Sequence, residues 1–103
     1  MKESDFQKKL KKTIKERFPG SLVFKTDPQQ LQGIPDLLIL YGNKWAALEV
    51  KKNKKEAEKS QNDSNRFNQN YRVRQMAAMS FASYIFPENE QEVLHDLERL
   101  FKG

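Results

Sequence analysis

Residues 36–51 constrain this chain more tightly than any other stretch. The run DLLILY from Asp36 to Tyr41 is almost unbroken in apolar character, as a strand buried on both faces requires. Gly42-Asn43 then supplies a two-residue hairpin signal, and KWAALEVK from Lys44 to Lys51 returns as the next strand. A two-residue loop fixes the register: Tyr41 faces Lys44, Leu40 faces Trp45, Ile39 faces Ala46, Leu38 faces Ala47 and Leu37 faces Leu48. One step further, Asp36 lands opposite Glu49.

Directly opposed residues project from the same face, with Cβ atoms about 4.5–5.5 Å apart. Two carboxylates so placed repel each other, which a purely structural sheet should avoid. A divalent cation between them turns the repulsion into a binding site. Strand alternation puts Lys51 on the face of Glu49. An amine beside two metal-holding acids can position or deprotonate water and stabilise charge developing on a phosphate. Glu-x-Lys is common on solvated strands and Pro-Asp often only begins a strand, so either half alone reads as structural. Joined through an apolar strand and a tight turn, the two halves point to chemistry.

Composition narrows the options. A chain of 103 residues supports one domain with one core. With 37% hydrophobic and 32% charged residues, that core is compact and the surface heavily charged. The formal net charge of +5 suits a polyanionic partner without requiring one. There is no cysteine, which excludes disulfides and thiolate metal sites, and the single His95 cannot build a multi-histidine zinc site. A metal here rests on carboxylates, which favours hard ions such as Mg²⁺ or Mn²⁺. No apolar run approaches membrane-spanning length and MKESDFQKKL has no signal-peptide core, so a soluble, cytoplasmic protein is expected.

The remaining chain reads as an α/β sandwich around a mixed four-stranded sheet, in the order α-β-β-β-α-β-α. Ser4 to Phe18 is an amphipathic helix with the stripe Phe6, Leu10, Ile14 and Phe18, a Ser4–Gln7 capping box, and a stop at Pro19-Gly20. Ser21 to Thr26 is a short strand and Asp27 to Gly33 a loop. Asn53 to Asn65 has Ala57 as its only aliphatic residue and reads as a mobile loop with at most a helical turn at 54–59. A helix follows from about Arg66 to Ser80, then a strand from Ser83 to Phe86. A last helix, capped by Asn89 with Glu92, has the apolar face Val93, Leu94, Leu97, Leu100 and Phe101. Trp45 shares the Glu49 face and is expected to pack beneath the first helix. Met76 and Met79 read as core filler, and helix packing is the safer reading for Phe67 and Tyr71.

Gly33-Ile34-Pro35-Asp36 with Leu48-Glu49-Val50-Lys51 resembles the PD-(D/E)xK nuclease superfamily, and more closely its small stand-alone VRR-NUC type from phages and prophages. The likeness covers most of the chain, because the element order also fits that family's restriction-endonuclease-like αβββαβ core, here with an extra C-terminal helix. It implies Asp36 and Glu49 as metal ligands, with Val50 as a further one, and Lys51 as the catalytic lysine. It also implies Mg²⁺ or Mn²⁺, a DNA phosphodiester substrate, a bacterial host cell and, as in some relatives acting on branched DNA, a homodimer.

Such nucleases often add a glutamate from the first helix and a glutamine from the helix after the catalytic strands. Glu3 projects toward the middle of the Phe6–Phe18 stripe at about 100° per residue, whereas Glu16 points away. A solvated terminal acid is the competing account of Glu3. Gln69 shares the face of Val73, Met76, Ala77 and Ser80, while Gln75 lies almost opposite. A frayed helix end is the competing account of Gln69. Lys52, Lys54, Lys55 and Lys59, with Arg66 and Arg72, follow the catalytic strand and suit phosphate contacts. Gln29, Gln30 and Gln32 can line the same cleft, and His95 belongs to the surface. The leading expectation is a metal-dependent DNA endonuclease. Alternatives are a non-catalytic DNA-binding module, in which the basic residues matter and the acids do not, and a structural subunit.

Overall fold

The computed structural model describes residues 2–63 and 67–103, with no description of the Phe67 side chain. The hairpin forms as its turn demands. Strands β2 (Leu37–Tyr41) and β3 (Lys44–Val50) pair antiparallel from Tyr41↔Lys44 to Leu37↔Leu48. Gly42 has φ +62° while Asn43 stays at negative φ, the pattern of a II′ turn with glycine at its first central position. Strand β1 (Leu22–Lys25) pairs antiparallel with β2, and β4 (Phe81–Ile85) pairs parallel with β3. The result is a mixed four-stranded sheet in the order β1-β2-β3-β4, flanked by helices.

Period-two alternation splits β3 between two cores. Ala46, Leu48 and Val50 face one side with Leu37 and Ile39 of β2, where helix α1 (Glu3–Arg17) brings Phe6, Leu10 and Ile14. Helix α4 (Glu90–Lys102) adds Val93, Leu94, Leu97 and Phe101 to the same layer. Phe18, Tyr41 and Phe101 close its end as an aromatic trio with centroids 5.2–6.1 Å apart. The other face carries Ala47 and Glu49, and there Ala57 of helix α2 (Lys54–Asn62) and Val73 of helix α3 (Phe67–Met79) pack with Tyr84.

Several expectations need correction. Residues 54–62 are a helix, not a loop: Asn53 caps it by accepting from Glu56 N–H at 2.9 Å, and Ala57 with Ser60, three residues apart, forms a buried inner face. One alanine and one serine suffice because this face packs against α3 and the Tyr84 side chain. Helix α1 begins at Glu3 with Lys2 as N-cap and no side-chain cap, so the Ser4–Gln7 box does not form. Asn89 sends its side chain back to Phe86 N–H and the Tyr84 carbonyl instead of into α4. Trp45 pairs with Leu40 on the α3 face, away from α1, and its carbonyl accepts from Ser80 Oγ at 2.6 Å. Met79 is exposed at the end of α3, and Tyr71 is exposed with the Arg72 guanidinium 5.5 Å from its ring centre. Among the described residues, no helix is long and apolar enough to cross a membrane.

Candidate active site

Asp36 sits one residue before β2, held from both sides. Its N–H···O ladder to β1 continues through Thr26 N–H to the Asp36 carbonyl at 2.9 Å, and Thr26 Oγ1 donates to the Pro35 carbonyl at 2.6 Å. Across the hairpin, Val50 N–H donates to Asp36 Oδ2 at 2.8 Å. The β2–β3 register extended by one pair brings Asp36 against Glu49. Lys51 lies one residue beyond β3, yet its N–H donates to the Ile85 carbonyl at 2.9 Å, so the parallel ladder with β4 still fixes its backbone.

The side chains converge. Lys51 Nζ lies 3.4 Å from Glu49 Oε2 and donates to Gln69 Oε1 at 3.2 Å. Gln69 Oε1 also accepts from Ser60 Oγ at 3.5 Å. Glu49 and Lys51 are buried, at 3% and 7% exposure. Burial pushes the Glu49 carboxyl up to about 7, with the neighbouring Asp36 charge adding to the rise and Lys51 opposing it. Burial also raises Asp36, against the opposing effects of the Val50 N–H and the Lys51 and Lys25 charges. Two acids thus compete for one amine. The pair is short of positive charge.

A cleft of about 420 Å³ opens onto both acids. Asp36, Glu49 and Gln69 line it together with Lys25, Thr26, Pro28, Gln32, Gly33, Ile34 and Asn68. The loop wall is pressed onto α3: a Cβ on Gly33, which has φ +80°, would lie 2.6 Å from the Asn68 carbonyl carbon and closer still to its oxygen. Arg72 Nε donates to the Gln32 carbonyl at 3.2 Å and ties the same loop to the same helix.

The donor set suits a hard divalent ion. Among the described residues no cluster of three His, Cys, Asp or Glu side chains exists. Asp36 and Glu49 supply two carboxylates, and the Val50 carbonyl and water would have to complete an oxygen shell. Glu3 stands exposed in the first turn of α1, a helix that packs on the opposite face of the sheet, and it does not line the cleft. Gln75 accepts from Arg72 Nη1 at 2.8 Å, away from Lys51. Lys52, Lys54, Lys55 and Lys59 are exposed on and before α2 outside the cleft, with Lys59 3.7 Å from Glu56. Arg66 lies outside the described residues. Gln32 lines the cleft, whereas Gln29 and Gln30 do not.

Sequence reasoning missed Ser60, Asn68 and the packing of Gly33. Ser60 was legible only through its spacing from Ala57, which puts both on one helical face once α2 is recognised. No protein-family model matches the chain, and no curated protein or solved structure does so either.

Proposed function

We propose that this protein is a Mg²⁺- or Mn²⁺-dependent endodeoxyribonuclease of the PD-(D/E)xK kind. One observation carries the reading: Asp36 and Glu49 are held against each other in a cleft, with the buried Lys51 amine between Glu49 and Gln69. A structural sheet gains nothing from this arrangement, because burying two like charges beside one amine costs stability. The mixed sheet, with its acids at the start of β2 and the end of β3, is in keeping with a restriction-endonuclease-like core.

In this reading Asp36 and Glu49 bind the ion, with the Val50 carbonyl as a third protein ligand. A bound divalent ion supplies a Lewis acid for the phosphoryl oxygen and a more acidic water. Lys51 holds its amine where an attacking water or a phosphate oxygen would sit, and donates to the charge that develops there. Gln69 fixes the direction of that amine. The exposed Lys52, Lys54, Lys55 and Lys59 contact the backbone of the DNA, which favours recognition by shape over sequence. A cytoplasmic protein acting as a homodimer on branched DNA is the corresponding setting.

The test is cleavage of a panel of linear, flapped and four-way-branched DNAs with Mg²⁺, Mn²⁺ or EDTA. Lys51→Ala should abolish metal-dependent cleavage while leaving DNA binding within a few-fold. Wild-type protein that binds DNA but never cuts it would favour a binding module. Manganese uptake that is the same in wild type and Asp36→Asn would sink the metal site.

A further inference from the structure

The acid pair at the cleft has a lysine on either side of it. The strand order sets out the row: Lys25 ends β1, Asp36 precedes β2, Glu49 lies near the end of β3, and Lys51 follows β3 and bonds to β4. The two amines differ in what they are free to do. Lys51 is buried, with Glu49 Oε2 at 3.4 Å and Gln69 Oε1 at 3.2 Å, so two of an ammonium's three donors already face protein oxygens. Lys25 is exposed and makes no hydrogen bond or ion pair through its amine among the described residues.

Lys25 shares the parity of Val23, which by alternation alone would turn it to the α1 face. It is, however, the last residue of an edge strand, and it lines the cleft. No other lysine or arginine among the described residues does so. Its charge is felt at Asp36, where it opposes the rise of the carboxyl. The backbone beneath it is fixed, since Lys25 pairs with Leu37 and the adjacent Thr26 bonds to the carbonyls of Asp36 and Pro35. A firm base thus carries an uncommitted amine.

We propose that Lys25 is a phosphate-binding residue of the cleft, holding the phosphate next to the scissile one on the same DNA strand. The inference rests on the nuclease reading, and charge gives the reason. Two carboxylates, one amine and a divalent ion leave a single net positive charge, which the scissile phosphate cancels. The neighbouring phosphate then enters the cleft with Lys25 as the one cation lining it. An ammonium on a flexible stem is a point charge suited to holding a phosphate, and less to directing a reacting atom. Lys25 therefore binds substrate and transition state alike, so its loss falls on KM and spares kcat. Lys51, locked between Glu49 and Gln69, has the opposite signature.

The experiment compares wild type, Lys25→Gln, Lys25→Arg and Lys9→Gln, the last removing the same charge from an exposed position on α1 outside the cleft. Binding of a fluorescent duplex oligonucleotide is titrated in EDTA over a several-fold range of salt, so that cleavage does not enter the readout. Lys25→Gln should bind several-fold more weakly and lower the slope of log K against log salt by about 0.9. Lys25→Arg and Lys9→Gln should stay near wild type, and circular dichroism should be unchanged in all three variants. In Mg²⁺, Lys25→Gln should raise KM about 5- to 20-fold with kcat within about two-fold.

Wild-type affinity and salt slope in Lys25→Gln would overturn the proposal, as would an equal loss in Lys9→Gln. A fall in kcat with KM unchanged would also overturn it, because the amine would then act on the reacting phosphate. A wild type that binds DNA without cutting it fails the nuclease reading alone, and the salt slope still decides whether the cleft holds a phosphate through Lys25.

Discussion

Glu49 concentrates the physical tension of the site in one side chain. Its carboxyl is 3% exposed, beside Asp36 and only 3.4 Å from Lys51. Raised from 4.5 to about 7, it binds a proton in the folded chain that it would have released in the unfolded one. The sign follows from linkage: between those values the native state holds more protons, so stability falls as pH rises from about 4.5 to 7 and then levels off. The shift corresponds to a loss on the order of 3 kcal/mol. Urea unfolding in EDTA at pH 4.5 and 7.5 should show that decline in wild type. Glu49→Gln, isosteric but uncharged, should be nearly flat over the same window apart from the smaller contribution of Asp36. Mg²⁺ should restore wild-type stability at the higher pH and do little for the variant. A wild-type protein equally stable at both pH values would contradict the raised carboxyl.

At the scale of elements, the cleft depends on a loop pressed against a helix. Gly33 combines φ +80° with a Cβ position 2.6 Å from the Asn68 carbonyl carbon, so a side chain there is strained in conformation and in space together. Gly33→Ala should cost about 2–4 kcal/mol and displace the 27–35 loop, lowering any cleavage activity through the cleft wall without touching Lys51. Asn53→Ala, which removes the α2 cap, should cost only about 1 kcal/mol. Thermal melts of the two variants separate the effects, and a Gly33→Ala protein as stable as wild type would refute the close packing. These elements also show what a sequence reveals. The facing of Asp36 and Glu49 was readable because a two-residue turn fixes every later pair, and Gln69 because helical spacing assigns it a face. Helix α2 was not readable, since its buried side is Ala57 and Ser60, too small and polar to mark a hydrophobic period. Glu3 was placed by angle around α1, but that angle says nothing about which face of the sheet α1 covers. Trp45 failed for the same reason: alternation gave its face, and only tertiary packing decides which helix lies there.

For the whole molecule, the sheet separates two populations of positive charge. Lys8, Lys11, Lys12 and Lys15 ride on α1, which covers the face of Leu48 and Val50. Lys52, Lys54, Lys55 and Lys59 run from the end of β3 along α2, which packs on the face of Glu49. Net charge of +5 alone predicts that both groups attract DNA equally. A cleft on one face predicts that only the second group does. Removing one lysine–phosphate pairing lowers the slope of log K against log salt by about 0.9, so glutamine at all four positions of the second group should reduce it by roughly 2–4. The same replacement of the four α1 lysines changes net charge identically and should move the slope by less than about 1. Binding is measured on a Lys51→Ala background to prevent cleavage, across a several-fold range of salt. Equal effects from the two groups would mean that charge acts over the whole surface and that DNA does not lie across the α2 side of the sheet.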